Sequence, residues 1–316
     1  DRSDSATLRL IHVYGQPAAC LGRDLGPAGV IRMRTTRPLI VTFRFAAFFV
    51  MVSPVAEGAN LSSRRVSPEN GAQIGHRTSA ETKNFSVFSF PGGPDAERLA
   101  QRAEDLLDQL RARWLEDVAS SDWAARCQVV IHEFPASYMR SVGRFAAQTK
   151  GSSLIRSHRG NITLRRVDLL ALDGGVGEPS AFAHELTHVV LADRFHGDQP
   201  PRWMDEGIAM LSDSGAKLAL HRRDCIQGLL RGENLPLVEV LTSQELKDPQ
   251  RIGAFYGQSL TVVELLVRRC GPKTLMAFSE VADQSGYDAA LRQCYGLDGI
   301  AELERVWREE MLAMSP

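Results

Sequence analysis

The 316-residue sequence lacks an excess of charge of either sign, internal repeats and paired cysteine motifs. Lys and Arg total 37 and Asp and Glu total 38, so the formal net charge of −1 provides no basic surface for nucleic acid and no strongly acidic tail. None of the five cysteines forms a CxxC or CxxH pair, which argues against a structural zinc site built from cysteine. The hydrophobic fraction of 44% is ordinary for a globular protein of one or two domains.

An apolar stretch near the N-terminus, Phe45–Val52, follows a positively charged segment and precedes small residues. It is too short to cross roughly 30 Å of hydrocarbon, so we expect no membrane span in the mature protein. The basic residues are Arg34, Arg37 and Arg44, and the small residues are Ala56, Gly58 and Ala59. This order predicts a secretory signal peptide over residues 33–59 that starts at Met33, and a secreted or periplasmic protein. Residues 1–32 are then an upstream extension outside the mature protein; the alternative for the apolar stretch is a short buried helix or strand.

The remainder of the sequence divides into a linker and one domain. Residues 60–81 are rich in Ser, Gly, Arg and Asn without apolar periodicity, which predicts a flexible linker. Residues 82–316 are predicted to form an α+β domain, with a small mixed sheet lobe over 82–175 and a mainly helical lobe over 176–316. Strands are predicted at Asn84–Phe90, Cys127–Phe134, Ser152–Ile155 and Ile162–Leu172.

Apolar residues at three- and four-residue spacing predict the helices of both lobes. The clearest pattern covers Leu99–Trp114, with Asp95 and Glu97 at its N-terminal end. A second helix is predicted over residues 136–148. In the helical lobe, helices are predicted at about 214–231, 258–270, 273–283 and 300–313, with Gly271-Pro272 ending one of them.

Residues 184–188 read His-Glu-Leu-Thr-His, an HExxH motif inside an apolar segment of helical length. Histidines four residues apart lie on one face of an α-helix, so His184 and His188 can reach one metal ion. Glu185 projects from the flank of that face, where it can act on a metal-bound water without binding the metal. The pattern also arises by chance on surface helices that bind no metal, so the surrounding sequence decides between the two interpretations.

The surrounding sequence favours a metal site. Between Ser180 and Phe195 a second, apolar face can pack while the histidines face elsewhere. Pro179 is placed to begin this helix and Gly197 to end it. The apolar face consists of Phe182, Leu186, Val189 and Val190.

A catalytic zinc usually has three protein ligands and one open position. Glu206 follows a Pro-Pro loop on what should be the next helix, and it is the candidate third ligand. The predicted cofactor is therefore Zn²⁺, bound by His184, His188 and Glu206.

The sequence from His184 to Ala209 resembles the gluzincin clan of zinc metallopeptidases. It is most similar to the bacterial peptidase MA-like group, whose pattern is roughly HELTH followed by P-x-W-hydrophobic-x-E-G-hydrophobic-A, here from Pro201 to Ala209. Residues 256–259, Tyr-Gly-Gln-Ser, before an apolar helix are also similar to this group. The resemblance extends from about Phe85 to the C-terminus. It implies two helices that carry the zinc, a small sheet before them and hydrolysis of peptide bonds.

Two differences from related groups bear on the site. Thermolysin-like relatives have an aspartate one turn after the ligand glutamate to orient a zinc histidine, whereas this position is Met210 here. Asp205 and Asp213 are the alternatives that the sequence offers for this role. No GxMEN-type segment precedes the motif, which argues against the aminopeptidase branch of the clan.

The motif and the resemblance together imply a mechanism. Zinc would lower the pKa of its bound water and polarise the scissile carbonyl, and Glu185 would take the proton and return it to the leaving amine. Tyr256 is the predicted donor to the oxyanion because the resembling group has a tyrosine there; the alternative is a tyrosine that packs at a helix start. His221 is a second, weaker candidate, since its charged neighbours are typical of a solvated helix face.

Four cysteines remain if the signal peptide is removed, namely Cys127, Cys225, Cys270 and Cys294. In an oxidising compartment they permit three different disulfide pairings. The alternative is four buried free thiols that pack as small hydrophobic residues.

We therefore predict a secreted or periplasmic zinc metallopeptidase, an endopeptidase that acts on a peptide or protein substrate and has no nucleic-acid partner. The alternative from a different class is a non-catalytic zincin-fold binding or scaffolding domain of the cell envelope. The intact Glu185 and the intact ligand set favour the enzyme.

Overall fold

The computed structural model of the protein describes residues 40–47, 78–115, 122–171, 176–244 and 248–314. The strands are β1 (Ile40–Ala47), β2 (Thr78–Glu81), β3 (Phe85–Ser89), β4 (Cys127–His132), β5 (Thr149–His158) and β6 (Asn161–Leu170). The helices are α1 (Ala96–Trp114), α2 (Pro135–Val142), α3 (Phe182–Arg194), α4 (Arg202–Met210), α5 (Gly215–Arg231), α6 (Leu237–Thr242), α7 (Pro249–Ser285), α8 (Tyr287–Tyr295) and α9 (Ile300–Ala313). This is the α+β arrangement that the sequence predicts, a mixed sheet followed by a mainly helical lobe.

The strands form one mixed sheet in the order β1-β5-β6-β4-β3-β2. The pairs β3–β4 and β4–β6 are parallel, and the pairs β1–β5, β5–β6 and β2–β3 are antiparallel. Helices α1 and α3 pack against the sheet and against each other, and α2 packs against β4 and β6. The sheet therefore forms the base on which α3 lies.

Local sequence features account for the first helices. Asp95 caps α1, because its side chain accepts a hydrogen bond of 2.9 Å from the amide of Arg98. The helix predicted over 136–148 is wrong in its second half. Gly143, at φ +111°, ends α2, and a 3₁₀ turn over Arg144–Gln148 follows it.

The helical lobe is organised around α7, which packs against α4, α5 and α8. Gly271, at φ +81°, interrupts α7 immediately before Pro272, so the two helices predicted on either side are confirmed. The sequence predicts that the first of them begins at about residue 258. It begins earlier, at Pro249, because the side chain of Asp248 caps it by accepting a hydrogen bond of 2.9 Å from the amide of Gln250.

Strand β1 lies inside the predicted signal peptide. Residues 40–47 pair with β5 at the edge of the sheet, while residues 33–39 and 48–59 and the upstream extension 1–32 lie outside the described residues. The predicted linker 60–81 is also shorter than expected, since its last four residues form β2 and pair with β3. No helix within the described ranges has the length and the hydropathy that a membrane span requires.

Both interpretations of the cysteines, disulfides among the four of them and four free thiols, are wrong. Cys127, Cys225 and Cys294 are free, whereas Cys270 is disulfide-bonded, so none of the three pairings among these four cysteines forms. Burial raises the pKa of the Cys127 thiol to about 12 and that of the Cys225 thiol to about 11. Both thiols therefore stay protonated at neutral pH and pack as hydrophobic side chains.

Candidate metal centre

Helix α3 holds the HExxH motif in the interior of the protein. The predicted apolar face packs as expected, with all four of its residues fully buried. The helix begins where the amide of Phe182 donates to the carbonyl of Pro179 at 2.9 Å. It ends before Gly197, which adopts φ +90° and donates its amide to the carbonyl of Ala192 at 2.8 Å. The residues predicted to limit this helix therefore lie at its two ends.

The two histidines of the motif lie side by side on α3. The ring centroids of His184 and His188 are 5.0 Å apart, and both side chains are buried. This is the face-sharing arrangement that a four-residue spacing produces on a helix.

Helix α4 brings Glu206 to the two histidines. The helix begins after Pro201, whose carbonyl accepts hydrogen bonds of 2.9 and 3.0 Å from the amides of Met204 and Asp205. A Cβ atom on Gly207 would lie only 2.5 Å from the carbonyl oxygen of Ser259 on α7. Glycine after Glu206 therefore allows α4 to approach α7 closely and sets the depth at which Glu206 enters the centre.

The three predicted ligand atoms converge on one point. Oε2 of Glu206 lies 3.8 Å from Nε2 of His184 and 3.9 Å from Nε2 of His188. Ligand atoms of the three residues lie within 4.8 Å of one another, and all three of these atoms are buried without a hydrogen-bond partner among the described residues. Unpartnered buried polar atoms are costly unless a ligand completes them.

The donor set and its spacing fit zinc. Two imidazole nitrogens and a carboxylate oxygen form one of the ligand sets of catalytic zinc sites. Donor atoms at 2.0–2.1 Å from a tetrahedral zinc would lie about 3.3 Å apart. The two distances from Oε2 of Glu206 to the histidine nitrogens, 3.8 and 3.9 Å, exceed this by only about 0.5 Å. The three residues are therefore placed to bind the ion.

Each imidazole has its own carboxylate on the far side of the ring. Nδ1 of His188 lies 3.0 Å from Oδ1 of Asp205, and Nδ1 of His184 lies 3.4 Å from Oδ2 of Asp213. Nζ of Lys217 lies 2.7 Å from the same Asp213 oxygen. A carboxylate that accepts the Nδ1 proton leaves the Nε2 lone pair free for a metal. The sequence offers Asp205 and Asp213 as alternatives for this role. The structure places Asp205 at hydrogen-bonding distance from His188, and it places Asp213 near His184 without a hydrogen bond to that ring.

Negative charge dominates the electrostatics of the centre. Burial alone would lower the pKa of His184, but the carboxylates of Asp213 and Glu206 raise it to about 10. Burial likewise opposes the charged form of His188, and Asp205 outweighs this and raises its pKa. A potential that stabilises an additional proton on the imidazoles also stabilises a metal cation in its place.

Glu185 lies on the side of α3 that faces β5. Its side chain is fully buried, and both carboxylate oxygens have no hydrogen-bond partner among the described residues. A Cβ atom on Gly151 would lie 2.6 Å from Cγ of Glu185, so the backbone of β5 packs directly on this side chain. Burial raises the pKa of Glu185, against the opposing effect of the two histidines. A carboxylate with a raised pKa is a stronger base, as general-base chemistry requires.

The two candidate oxyanion donors differ in their surroundings. The buried Tyr256, on α7, donates its hydroxyl proton to Oε1 of Glu206 at 3.4 Å. His221, on α5, is half-buried instead of lying on a fully solvated face, and its pKa is lowered by burial and by Lys217. Tyr256 therefore contacts the candidate ligand Glu206 directly.

The sequence motifs do not include two residues that shape the centre. The pair Asp213 and Lys217 has the four-residue spacing of a helical ion pair, which is the signal that indicates Lys217. Gly151 lies immediately before the predicted strand Ser152–Ile155 and inside the observed strand β5, where a glycine often marks a close backbone approach. Neither signal alone identifies a metal centre, because both are common in structural regions.

Comparison with curated proteins finds no match to this chain. Residues 159–313 match the family model of the peptidase MA superfamily. The matched region includes β6, the HExxH helix α3, the Glu206 helix α4 and the helices of the helical lobe. This agrees with the resemblance that the motif indicates and with the α+β fold. The region that carries the candidate metal centre belongs to the peptidase MA superfamily.

Proposed function

We propose that the protein is a zinc-dependent endopeptidase whose ion is bound by His184, His188 and Glu206. The observation that carries this proposal is the convergence of three buried, unpartnered ligand atoms beside the buried carboxylate of Glu185. Membership of the peptidase MA superfamily supports a metal-dependent peptidase. Zinc content measured together with the hydrolysis of a peptide library tests the proposal.

The residues around the centre each have a separate role in the proposed reaction. His184, His188 and Glu206 would hold the zinc ion, which would supply a Lewis acid for the scissile carbonyl and lower the pKa of a nearby water. Glu185 accepts a proton from the attacking water and delivers it to the nitrogen of the departing amine. Asp205 and Asp213 hold the two imidazoles in the orientation that binds the ion.

Replacement of an orienting aspartate should weaken zinc binding without removing a ligand. We expect Asp205→Asn and Asp213→Asn each to lower zinc affinity about 10- to 100-fold, because the neutral amide stabilises the required imidazole tautomer less. The effect should be larger for Asp205, which is fully buried and lies closer to its histidine. Titration with a competing chelator measures the affinity. The exposed Asp224 on α5 provides the matched control, since Asp224→Asn should leave zinc affinity unchanged; an equal loss in this control would contradict the assignment.

Tyr256 is the proposed donor to the oxyanion that develops on the scissile carbonyl. We expect Tyr256→Phe to lower kcat about 100-fold with zinc affinity unchanged, because removal of one oxyanion donor typically costs that much. Steady-state kinetics and the zinc titration separate this role from the orientation of Glu206, to which the hydroxyl also donates. Reduced zinc affinity with normal kcat in zinc-saturated enzyme would make Tyr256 a positioning residue for Glu206.

A further inference from the structure

Strand β5 passes directly over the candidate catalytic glutamate. At Gly151 its backbone lies so close to α3 that a Cβ atom would be 2.7 Å from Oε1 of Glu185 and 2.8 Å from Cβ of Ala181. Ser153, two residues further along and on the same face of the strand, is fully buried. The backbone of β5 therefore lies directly against Glu185, and the side of β5 that points away from β6 is where another strand can pair with it.

Strand β1 occupies that edge. It pairs with β5 in antiparallel register from Ile40 opposite Ser157 to Ala47 opposite Thr149. The register is irregular between Phe45 and Ala47, where one residue of β1 faces both Lys150 and Gly151. The backbone of β1 therefore passes the part of β5 that contacts Glu185. Without β1, the amides and carbonyls along this edge of β5 would have no partner strand.

A sheet edge of this kind can bind an extended peptide through main-chain hydrogen bonds. Such bonds depend little on side chains, so β1 and an added peptide would use the same groups of β5. Besides β5, β1 contacts the 3₁₀ turn Arg144–Gln148, whereas β2 at the opposite edge is also held by α1. Release of β1 would therefore leave the remaining strand pairs of the sheet in place.

We propose that Ile40–Ala47 is an intramolecular occupant of the peptide-binding edge of β5 and competes with substrate for it. The inference rests on the proposed function, because it takes this edge as the place where substrate binds beside Glu185. A tethered segment competes at a high effective concentration. It reduces the fraction of molecules that can accept substrate, which raises KM and leaves kcat unchanged.

The segment also lies within the predicted signal peptide, residues 33–59. Cleavage at the predicted site would remove β1 together with the rest of that segment. The edge of β5 would then be closed in the precursor and open in the processed chain.

A proline scan of β1 in the full chain tests the occupancy. In an antiparallel pair only alternate residues of an edge strand direct their amide to the partner, and proline has no amide proton to donate. Val41→Pro and Phe43→Pro should therefore behave alike, and Thr42→Pro and Arg44→Pro should form the other group. The substitutions of one group remove hydrogen bonds from β1 to β5. The substitutions of the other group, at the neighbouring positions of the same strand, are the matched control.

Three measurements are made on each variant after circular dichroism has shown an unchanged fold. If β1 fills the edge about nine-tenths of the time, the variants that break pairing should show KM lowered about tenfold with kcat unchanged. Hydrogen exchange at the β5 amides within Ser152–Ser157 should become faster in the same variants. A fluorescent peptide with the sequence of residues 40–47 should bind these variants more tightly than it binds the control group.

The outcomes separate the occupancy from the enzymatic activity. If the two groups of proline variants differ in peptide affinity and in hydrogen exchange at β5 although none of the chains hydrolyses peptide, this result would support the occupancy of the β5 edge by β1 and would contradict the proposed function. If the two groups of proline variants have equal KM, equal hydrogen-exchange rates at β5 and equal peptide affinity, β1 does not compete for the β5 edge. This conclusion would hold at any level of hydrolysis.

Discussion

Replacement of Glu185 by glutamine is expected to lower peptide hydrolysis at least about 10³-fold, while about one zinc ion per chain stays bound. Glutamine has nearly the same shape as glutamate, but its amide cannot accept the proton of the attacking water. Glu185 supplies none of the three converging ligand atoms, so its replacement removes no bond to the zinc ion. The large loss of rate with retained metal is what distinguishes a general base from a ligand.

The measurement for Glu185→Gln combines single-turnover hydrolysis with zinc analysis of the same sample. Thermal unfolding checks that the buried substitution leaves the fold intact. The matched control is Glu178→Gln, because Glu178 is an exposed carboxylate shortly before α3, and this variant should hydrolyse peptide at the wild-type rate. Hydrolysis within about tenfold of wild type in Glu185→Gln would remove Glu185 from the general-base role.

Replacement of Glu206 by glutamine should lower activity for a different reason, the loss of bound zinc. A neutral amide replaces an anionic ligand, so we expect zinc affinity to fall at least about 100-fold, more than for the aspartates behind the histidines. Excess zinc should restore part of the activity, since Glu185 and both histidines remain. The hydroxyl of Tyr256 can still donate to the amide oxygen at position 206, which keeps the side chain in place.

Competition with a chelator of known affinity measures this effect, and the activity is followed as free zinc is raised. Full zinc retention in Glu206→Gln would mean that the third ligand lies elsewhere, with Asp205 and Asp213 next to be tested. Loss of zinc in Glu206→Gln beside retention in Glu185→Gln would assign the two glutamates different roles within one centre.

Much of the centre could be predicted from the sequence because it depends on local helix geometry. The four-residue spacing of His184 and His188 places them on one face of α3 in any helix. Glu206 follows a short loop, and a third ligand for the same ion has to come from a nearby element. The structure brings these three residues together, and their function as ligands stays a prediction for the zinc titrations to decide.

The orienting carboxylates were only partly predictable. The sequence offers Asp205 and Asp213 without deciding between them, because which one faces an imidazole depends on how α4 and the start of α5 pack beside α3. In the structure the two Nδ1 atoms lie near different carboxylates, Asp205 for His188 and Asp213 for His184, so the two aspartates are not alternatives for one position. The buried Met210 at the position that thermolysin-like relatives fill with aspartate is compatible with this arrangement.

Tertiary contacts account for what the sequence does not show. The close approach of Gly151 to Glu185 and the pairing of β1 with β5 join residues far apart in the chain. Residues 40–47 have the basic and apolar character of a signal peptide, and the same residues can pair as a strand because main-chain hydrogen bonds depend little on side chains. The helix break at Gly143 also depended on a positive φ that an apolar periodicity cannot indicate.

Zinc stoichiometry measured together with peptide hydrolysis shows whether the three converging residues bind a catalytic zinc ion. Purified wild-type protein and the β1 proline variants are analysed for zinc and incubated with a broad peptide library, with and without chelator. The variants are included so that an occupied β5 edge does not conceal the activity. We predict about one zinc per chain and cleavage at internal peptide bonds, lost with chelator and restored by zinc. Zinc-loaded protein that hydrolyses nothing in any of these forms would contradict the enzyme and favour a non-catalytic zincin-fold scaffold.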